Sequence, residues 1–283
     1  MKKRAISPFL LAALFLAGLA LLLYPLVSSR YNDRRSAALI QNYTAAVADA
    51  PREDYSAWFA AADAYNASLV GKDVPDAFAA ITEDESADYL AQLAFDPDGV
   101  MGYISIPKIA VTLPIYHCTT PATLEKGAGH LEGSALPVGG ANTHCVISAH
   151  RGLPSATMFT DLDRLTYGDH FYIYVLDRVL AYEVDQILTV APDELAALDR
   201  EEGMDYTTLV TCTPYGVNSH RLLVRGHRVE YDGQTAADEG RHIVRSLHTN
   251  YVLWTVVGLV VTALVILVYA GLSRRGGRRR ARH

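Results

Sequence analysis

The stretch "TLVTCTPYGVNSHRLLVRGHR", Thr208 to Arg228, decides how this chain is read. Its apolar positions stop at Cys212, a Pro-Tyr-Gly turn follows, and a second strand-like run begins near His220. One of only three cysteines in 283 residues therefore stands at a strand end, nine residues before Arg221. A lone cysteine at such a place is either a small buried hydrophobe or a reactive thiol. The rest of the chain has to separate the two readings.

Outward from that stretch, the neighbouring segments carry the same short-strand character. "VMGYISIPKIAVTLPIYH" reads as two short strands, each interrupted by a proline, which suits the edges and bends of a closed sheet. "PATLEKGAGHLEG" reads as a short helix ending in glycine. "THCVISAH" is a strand ending at His150, and "HFYIYVLDRVLAYEVDQILTV" is a hairpin around Asp177-Arg178. Seven or eight short strands over about 130 residues indicate a β-barrel or sandwich. Before them, residues 30–70 carry apolar and aromatic residues at helical spacing (Leu39, Tyr43, Val47, then Tyr55, Phe59, Tyr65, Leu69). These predict two amphipathic helices broken at Ala50-Pro51. A third helix is expected from Thr82, where Thr82 and Glu85 form a capping box, to about Phe95.

Two segments are too apolar for a soluble domain. There is no charge from Ala5 to Ser29 or from Tyr251 to Ser273, and each run exceeds the roughly 20 residues that cross a bilayer as a helix. The first is an uncleaved anchor or a cleaved signal peptide; its length and the leucines after Gly18-Leu19-Ala20 favour the anchor. Lys2, Lys3 and Arg4 precede the first run, and Arg274, Arg275, Arg278, Arg279, Arg280 and Arg282 follow the second. Basic flanks stay in the cytoplasm, so both termini are expected inside and the intervening part outside the cell. Without those nine residues the outer part has 16 Lys and Arg against 31 Asp and Glu, a net charge of −15. Such an acidic part argues against nucleic acid as a partner. The Arg-rich tail is a topology signal in contact with lipid headgroups.

The expected organisation has a cytoplasmic basic end (1–5), a transmembrane helix (6–27) and an extracellular helical region (28–98) with a loop at 72–80. A β-barrel (99–230), a polar tether (231–250), a second transmembrane helix (251–272) and an Arg-rich tail (273–283) follow.

His150 and Cys212 both stand where a strand pattern stops, and Arg221 opens the strand after the turn. Strand ends distant in sequence can converge at one rim of a barrel. Together these three residues are the parts of an acyl-transfer site. A thiolate attacks, with nearby positive charge favouring that form. An imidazole gives and takes the proton, and a guanidinium holds carbonyls or an oxyanion. The other histidines (His117, His130, His144, His170, His220, His227) lack the paired spacing of a metal site, and no metal or cofactor is expected. Cys118 and Cys145 are either a disulfide or two buried thiols, with the unbonded form favoured.

Three blocks resemble the sortases, specifically the pilin-polymerising class C group: "DGVMGYISIPKIAVTLPIYHCTT", "GAGHLEGSALPVGGANTHCVISAHRGLPSATMFTDLDRL" and "DYTTLVTCTPYGVNSHRLLVRG". The resemblance implies a closed eight-stranded β-barrel. It makes Cys212 the nucleophile, His150 the acid/base and Arg221 the oxyanion or substrate-positioning residue. It also implies cleavage of an LPxTG-like sorting signal and transfer of the acyl group to a lysine of the next pilin subunit. Class C members carry an Asp-Pro-aromatic lid. Here the matching place reads "VPDAF", with Ala77 where proline is usual. Asp76 and Phe78 are the lid residues in that reading, although Asp76 is otherwise an ordinary solvated loop charge. The rival functions are a sortase that anchors proteins to a peptidoglycan precursor and a two-span surface scaffold. Cys212, His150 and Arg221 together argue against the scaffold.

Overall fold

A computed structural model describes residues 8–50, 55–69, 87–233 and 256–262. The lid positions Asp76 and Phe78, the capping box at Thr82 and most of the second apolar run lie outside these residues. The chain divides into two compact units, one of residues 1–24 with 244–283 and one of residues 25–243.

The first helix, α1 (Pro8–Asp49), merges two expected elements: the apolar run continues without a break into the first amphipathic helix. Its N-terminal part is long and apolar enough to cross a membrane. Helix α2 (Ser56–Ser68) follows the expected break near residue 50. Helix α3 (Ala87–Leu90) ends earlier than the expected Phe95, because Leu93 takes a left-handed backbone (φ 53°) as its side chain enters the core.

Eight strands close into one barrel. They are β1 (Val100–Ile106), β2 (Val111–His117), β3 (Ala128–His130), β4 (Thr143–Ser148), β5 (His170–Val175), β6 (Arg178–Val190), β7 (Asp205–Thr213) and β8 (His220–Val229). Their order around the barrel is β1-β2-β3-β4-β7-β8-β6-β5, with β2–β3 and β4–β7 parallel and the other pairs antiparallel. Helix α4 (Pro121–Leu124) is capped by the Thr120 hydroxyl, which accepts the Thr123 N–H at 3.2 Å. The expected short helix is therefore α4 alone, and "AGH" after it is the strand β3. Pro107 opens the turn between β1 and β2 rather than interrupting a strand, whereas Pro114 lies within β2 opposite Tyr103. The β5–β6 hairpin turns at Leu176-Asp177, as the sequence predicts to within one residue.

The interior holds Ile104, Ile115, Ile147, Phe171, Ile173, Tyr182, Leu209 and Val224, and the same cluster takes in Phe59 and Ala62 of α2 and Tyr89 of α3. Tyr43 fastens α1 to the barrel: its hydroxyl donates to the Met101 carbonyl (3.1 Å) and accepts the Leu176 N–H (2.7 Å). Gly226 is required beside the stacked Phe171 and Tyr182 rings, since a Cβ there would lie 2.7 Å from Phe171 Cε1. On the outer face, Val146 of β4, Val210 of β7 and Leu223 of β8 form a second apolar cluster with Leu131 and Leu198. Strands β4 and β7 are thus buried on both faces, although threonine, histidine and serine stand among their apolar residues.

Candidate active site

Parallel pairing of β4 and β7 keeps a constant register from Thr143 opposite Asp205 to Ser148 opposite Val210. The Ala149 N–H still donates to the Val210 carbonyl at 3.2 Å, and the Thr211 hydroxyl donates to the Ala149 carbonyl at 2.8 Å. Continued past Ala149, where β4 has already ended, that register would count His150 against Cys212. Across the other edge of β7, Cys212 is the direct partner of Arg221 in β8. Directly opposed residues share a face, and Arg221 Nη1 lies 3.7 Å from Cys212 Sγ. The same guanidinium nitrogen donates to the carbonyls of His220 (3.4 Å) and Asn218 (3.5 Å), which orient it toward the sulfur. The ends of β7 and β8 therefore bring cysteine and arginine together, and His150 follows the end of the neighbouring β4 by two residues.

His150 is half-buried, and this burial pushes its imidazole below the ordinary histidine range, with Glu125 partly opposing the shift. At neutral pH the ring is held uncharged. Its carbonyl accepts the Phe159 N–H at 3.0 Å. In the segment after it, Gly152 (φ +79°) lies under the Tyr215 ring, so the β4–β5 connection packs on the β7–β8 turn.

Beyond Arg221 comes Val190 of β6, its partner across the β6–β8 pairing. Here an apolar pocket is lined by Val190, Ala191, Pro192, Glu194, Leu195, Leu198, Val210, Arg221 and Leu223. Its outer wall is the 191–204 segment. That segment is held where Arg225 grips Asp185 through two bonds (3.0 and 3.1 Å), reaches Glu201 (3.2 Å) and covers the Tyr206 ring at 3.9 Å. Asp185 is available because a bulge between Val184 and Gln186 removes it from the β6–β8 ladder. Sequence reading did not find this pocket, because leucine and valine there are indistinguishable from core residues.

Among the described residues, no group of three or more histidine, cysteine, aspartate or glutamate side chains is arranged to hold a metal ion. Cys118 and Cys145 are buried and not bridged to each other, and burial raises the Cys145 thiol far above its ordinary range. His130 and His144 are core residues. His130 Nε2 donates to the Ala135 carbonyl (2.9 Å), and His144 bonds the Asp199 carbonyl (2.8 Å) and the Thr208 hydroxyl (2.7 Å).

Residues 104–229 match the family model described as the Sortase domain. Among solved structures, the chain is similar to Streptococcus agalactiae sortase C1. That pair is 44% identical, and the match covers 71% of this chain and 99% of that one at a TM-score of 0.64. Sortase C of Streptococcus pneumoniae is 43% identical over 69% of this chain and 98% of its own, with a TM-score of 0.65. Sortase C-1 of Actinomyces oris is 46% identical over 62% and 99%, with a TM-score of 0.60. More distant is sortase A of Bacillus anthracis, 29% identical over half of this chain. The match spans 65% of that relative's length, just under two thirds.

Proposed function

Because the chain belongs to the sortase family and its structural neighbours are class C sortases, we propose that it is a membrane-anchored cysteine transpeptidase that joins pilin subunits at a Gram-positive cell surface. The observation that carries this reading is the Cys212–Arg221 pair across β7 and β8, with a guanidinium nitrogen 3.7 Å from the sulfur, and His150 following the end of β4, the parallel neighbour of β7, by two residues. Two points favour pilin polymerisation over wall anchoring. Class C sortases are 41–50% identical to this chain and the sortase A of B. anthracis only 29%, and the S. pneumoniae enzyme is described in terms of pilin substrate specificity.

In this mechanism neutral His150 takes the proton of the Cys212 thiol, the resulting thiolate attacks the carbonyl carbon of the Thr–Gly bond in an LPxTG-like signal, and Arg221 donates to the oxygen as it becomes negative. The carbon–nitrogen bond breaks as His150, in its imidazolium form, gives a proton to the departing glycine amine. The acyl group remains on sulfur as a thioester. Neutral His150 then takes a proton from the ε-amine of an incoming lysine as that nitrogen attacks. The carbon–sulfur bond breaks, the thiolate leaves beside Arg221, and an isopeptide bond remains. Burial of His150 suits both halves: it makes the imidazolium a stronger acid and keeps the resting ring neutral. The pocket of Val190, Leu195, Leu198 and Leu223 receives the apolar side chain of the signal.

The N-terminal run of α1 anchors the enzyme, and the second run at 251–272 returns the chain to the cytoplasm, where the basic flanks remain. In the same reading Asp76 and Phe78, outside the described residues, are assigned to a lid that substrate displaces. The test supplies the full-length chain with a pilin bearing the signal, an acceptor pilin and a competing peptidoglycan-type amine. A lysine isopeptide product, mapped by mass spectrometry, is expected. Exclusive transfer to the peptidoglycan-type amine would overturn the polymerase reading.

A further inference from the structure

The β4–β7 ladder ends at Ser148 opposite Val210, with one further bond from the Ala149 N–H, yet the two reacting groups, on His150 and Cys212, lie two residues beyond that last pair. Past that point the chain of β4 leaves the sheet while Cys212 and Thr213 stay paired with β8, so the separation of the two chains has to be held by side chains. Immediately after the two groups come Arg151 and Thr213, again 62 residues apart, and Arg151 Nη1 donates to Thr213 Oγ1 at 3.1 Å. The other arm of the guanidinium pairs with Asp163, in the turn Leu162–Arg164 within the β4–β5 connection.

We propose that Arg151 is a positioning residue for the reaction: by bridging Thr213 and Asp163 it clamps the ends of β4 and β7 together and sets the separation of the His150 imidazole and the Cys212 thiol. The proposal rests on the reading of these two as acid/base and nucleophile.

The Arg151 side chain is only 9% exposed while Asp163 is 48% exposed. Taking a cation out of water for one half-solvated partner is a poor source of stability. Its Nε is moreover buried without a hydrogen-bond partner among the described residues. Arg225, by contrast, meets Asp185 through two bonds and stacks on Tyr206. What the Arg151 arrangement does provide is geometry. A planar fork bonded on both arms fixes the distance between its two partners, which a flexible ammonium does not. Proton transfer between thiol and imidazole requires the heavy atoms within hydrogen-bond reach, and a displacement of ~1 Å costs on the order of 100-fold in rate. Arg221 and the apolar pocket lie on the opposite side of Cys212, on β8 and β6. Loosening the Arg151 side therefore lowers kcat while leaving KM nearly unchanged.

The test uses the full-length chain in lipid nanodiscs, with Arg151→Gln, Arg151→Lys, Thr213→Val, Thr213→Ser and the double variant Arg151→Gln/Thr213→Val. Kinetics with a sorting-signal peptide and the pH dependence of Cys212 alkylation without peptide are both measured. Arg151→Gln, Arg151→Lys and Thr213→Val are expected to lower kcat by roughly 10- to 100-fold with KM within about twofold. Thr213→Ser, which keeps the hydroxyl, recovers most of the loss, and the double variant is no worse than the poorer single one. The alkylation profile loses its histidine-dependent limb in Thr213→Val. Equal kcat in Thr213→Val and Thr213→Ser, additive losses, or a loss confined to KM would each overturn the proposal. The alkylation profile separates it from the functional reading. An unchanged profile in Thr213→Val refutes the clamp even if the wild-type chain proves not to be a transpeptidase.

Discussion

The buried His130 makes the barrel acid-sensitive by an amount that can be worked out. Its Nε2–H donates to the Ala135 carbonyl at 2.9 Å, and its Nδ1 faces the Tyr89 hydroxyl of α3 at 2.8 Å. That hydroxyl also accepts the Cys118 N–H (3.0 Å) and can donate to the His130 carbonyl (3.0 Å), so it is the burial of a charge, not a missing acceptor, that opposes protonation of the ring. Burial, with a further push from His117, lowers the ring from 6.5 to about 4, the Ala135 carbonyl partly opposing. Since the folded value lies below the unfolded one, the unfolded chain binds the proton first. Stability is therefore full above about pH 7 and falls as pH drops from 6.5 toward 4, levelling off below that. A shift of two to three units corresponds to about 3 kcal/mol in total, of which about 2 kcal/mol is already lost at pH 5.

The assay is urea unfolding in nanodiscs between pH 8 and 4.5, followed by the fluorescence of Trp58, which packs against the core and edge-on to Phe95. Trp254→Phe removes the second signal. His130→Asn will be less stable at every pH, so the quantity compared is the change with pH. The variant should lose about 2 kcal/mol less than the parent between pH 8 and pH 5. The His144 contribution, of the same sign, is common to both and cancels. Identical pH dependence in the two proteins would show that His130 titrates normally and that its burial argument is wrong.

Cys212→Ala should abolish both thioester and polymer, whereas Cys118→Ala and Cys145→Ala should retain turnover within a few-fold, checked by gel analysis of pilin products. Arg221→Lys preserves charge but not the planar guanidinium that holds Nη1 against Sγ and the His220 and Asn218 carbonyls, so kcat/KM should fall by roughly 10-fold or more. Wild-type activity in that variant would reduce Arg221 to a source of positive charge. For the lid, Phe78→Ala should speed iodoacetamide alkylation of Cys212, because the open fraction scales the apparent reactivity. Equal rates in parent and variant would mean that no lid operates.

Strand ends were legible in the sequence because they coincide with chemistry: the apolar run stops at Cys212, and proline and glycine mark the turn. The Cys212–Arg221 pair follows from register, which a sequence shows only through its consequences. β3 was missed for a physical reason. It is three residues long with a glycine at its centre, and a Cβ on Gly129 would collide with the Cys118 carbonyl. The residue that strand pairing demands there carries no strand signal of its own. α3 was overextended because the helical pattern continues through Leu93, and only tertiary packing turns that leucine inward. The Arg151–Thr213 contact had one available clue, the shared spacing of 62 residues, and it gains meaning only once β4 and β7 are known to run parallel.

The central claim is that Cys212 carries the acyl group. Full-length protein incubated with a sorting-signal peptide and no acceptor amine, quenched in acid and digested, should yield the Cys212 fragment heavier by the acyl portion ending in threonine. Hydroxylamine should remove that mass, as it does for a thioester. An unmodified Cys212 fragment alongside cleaved peptide, or an acyl group on any other residue, would contradict the account.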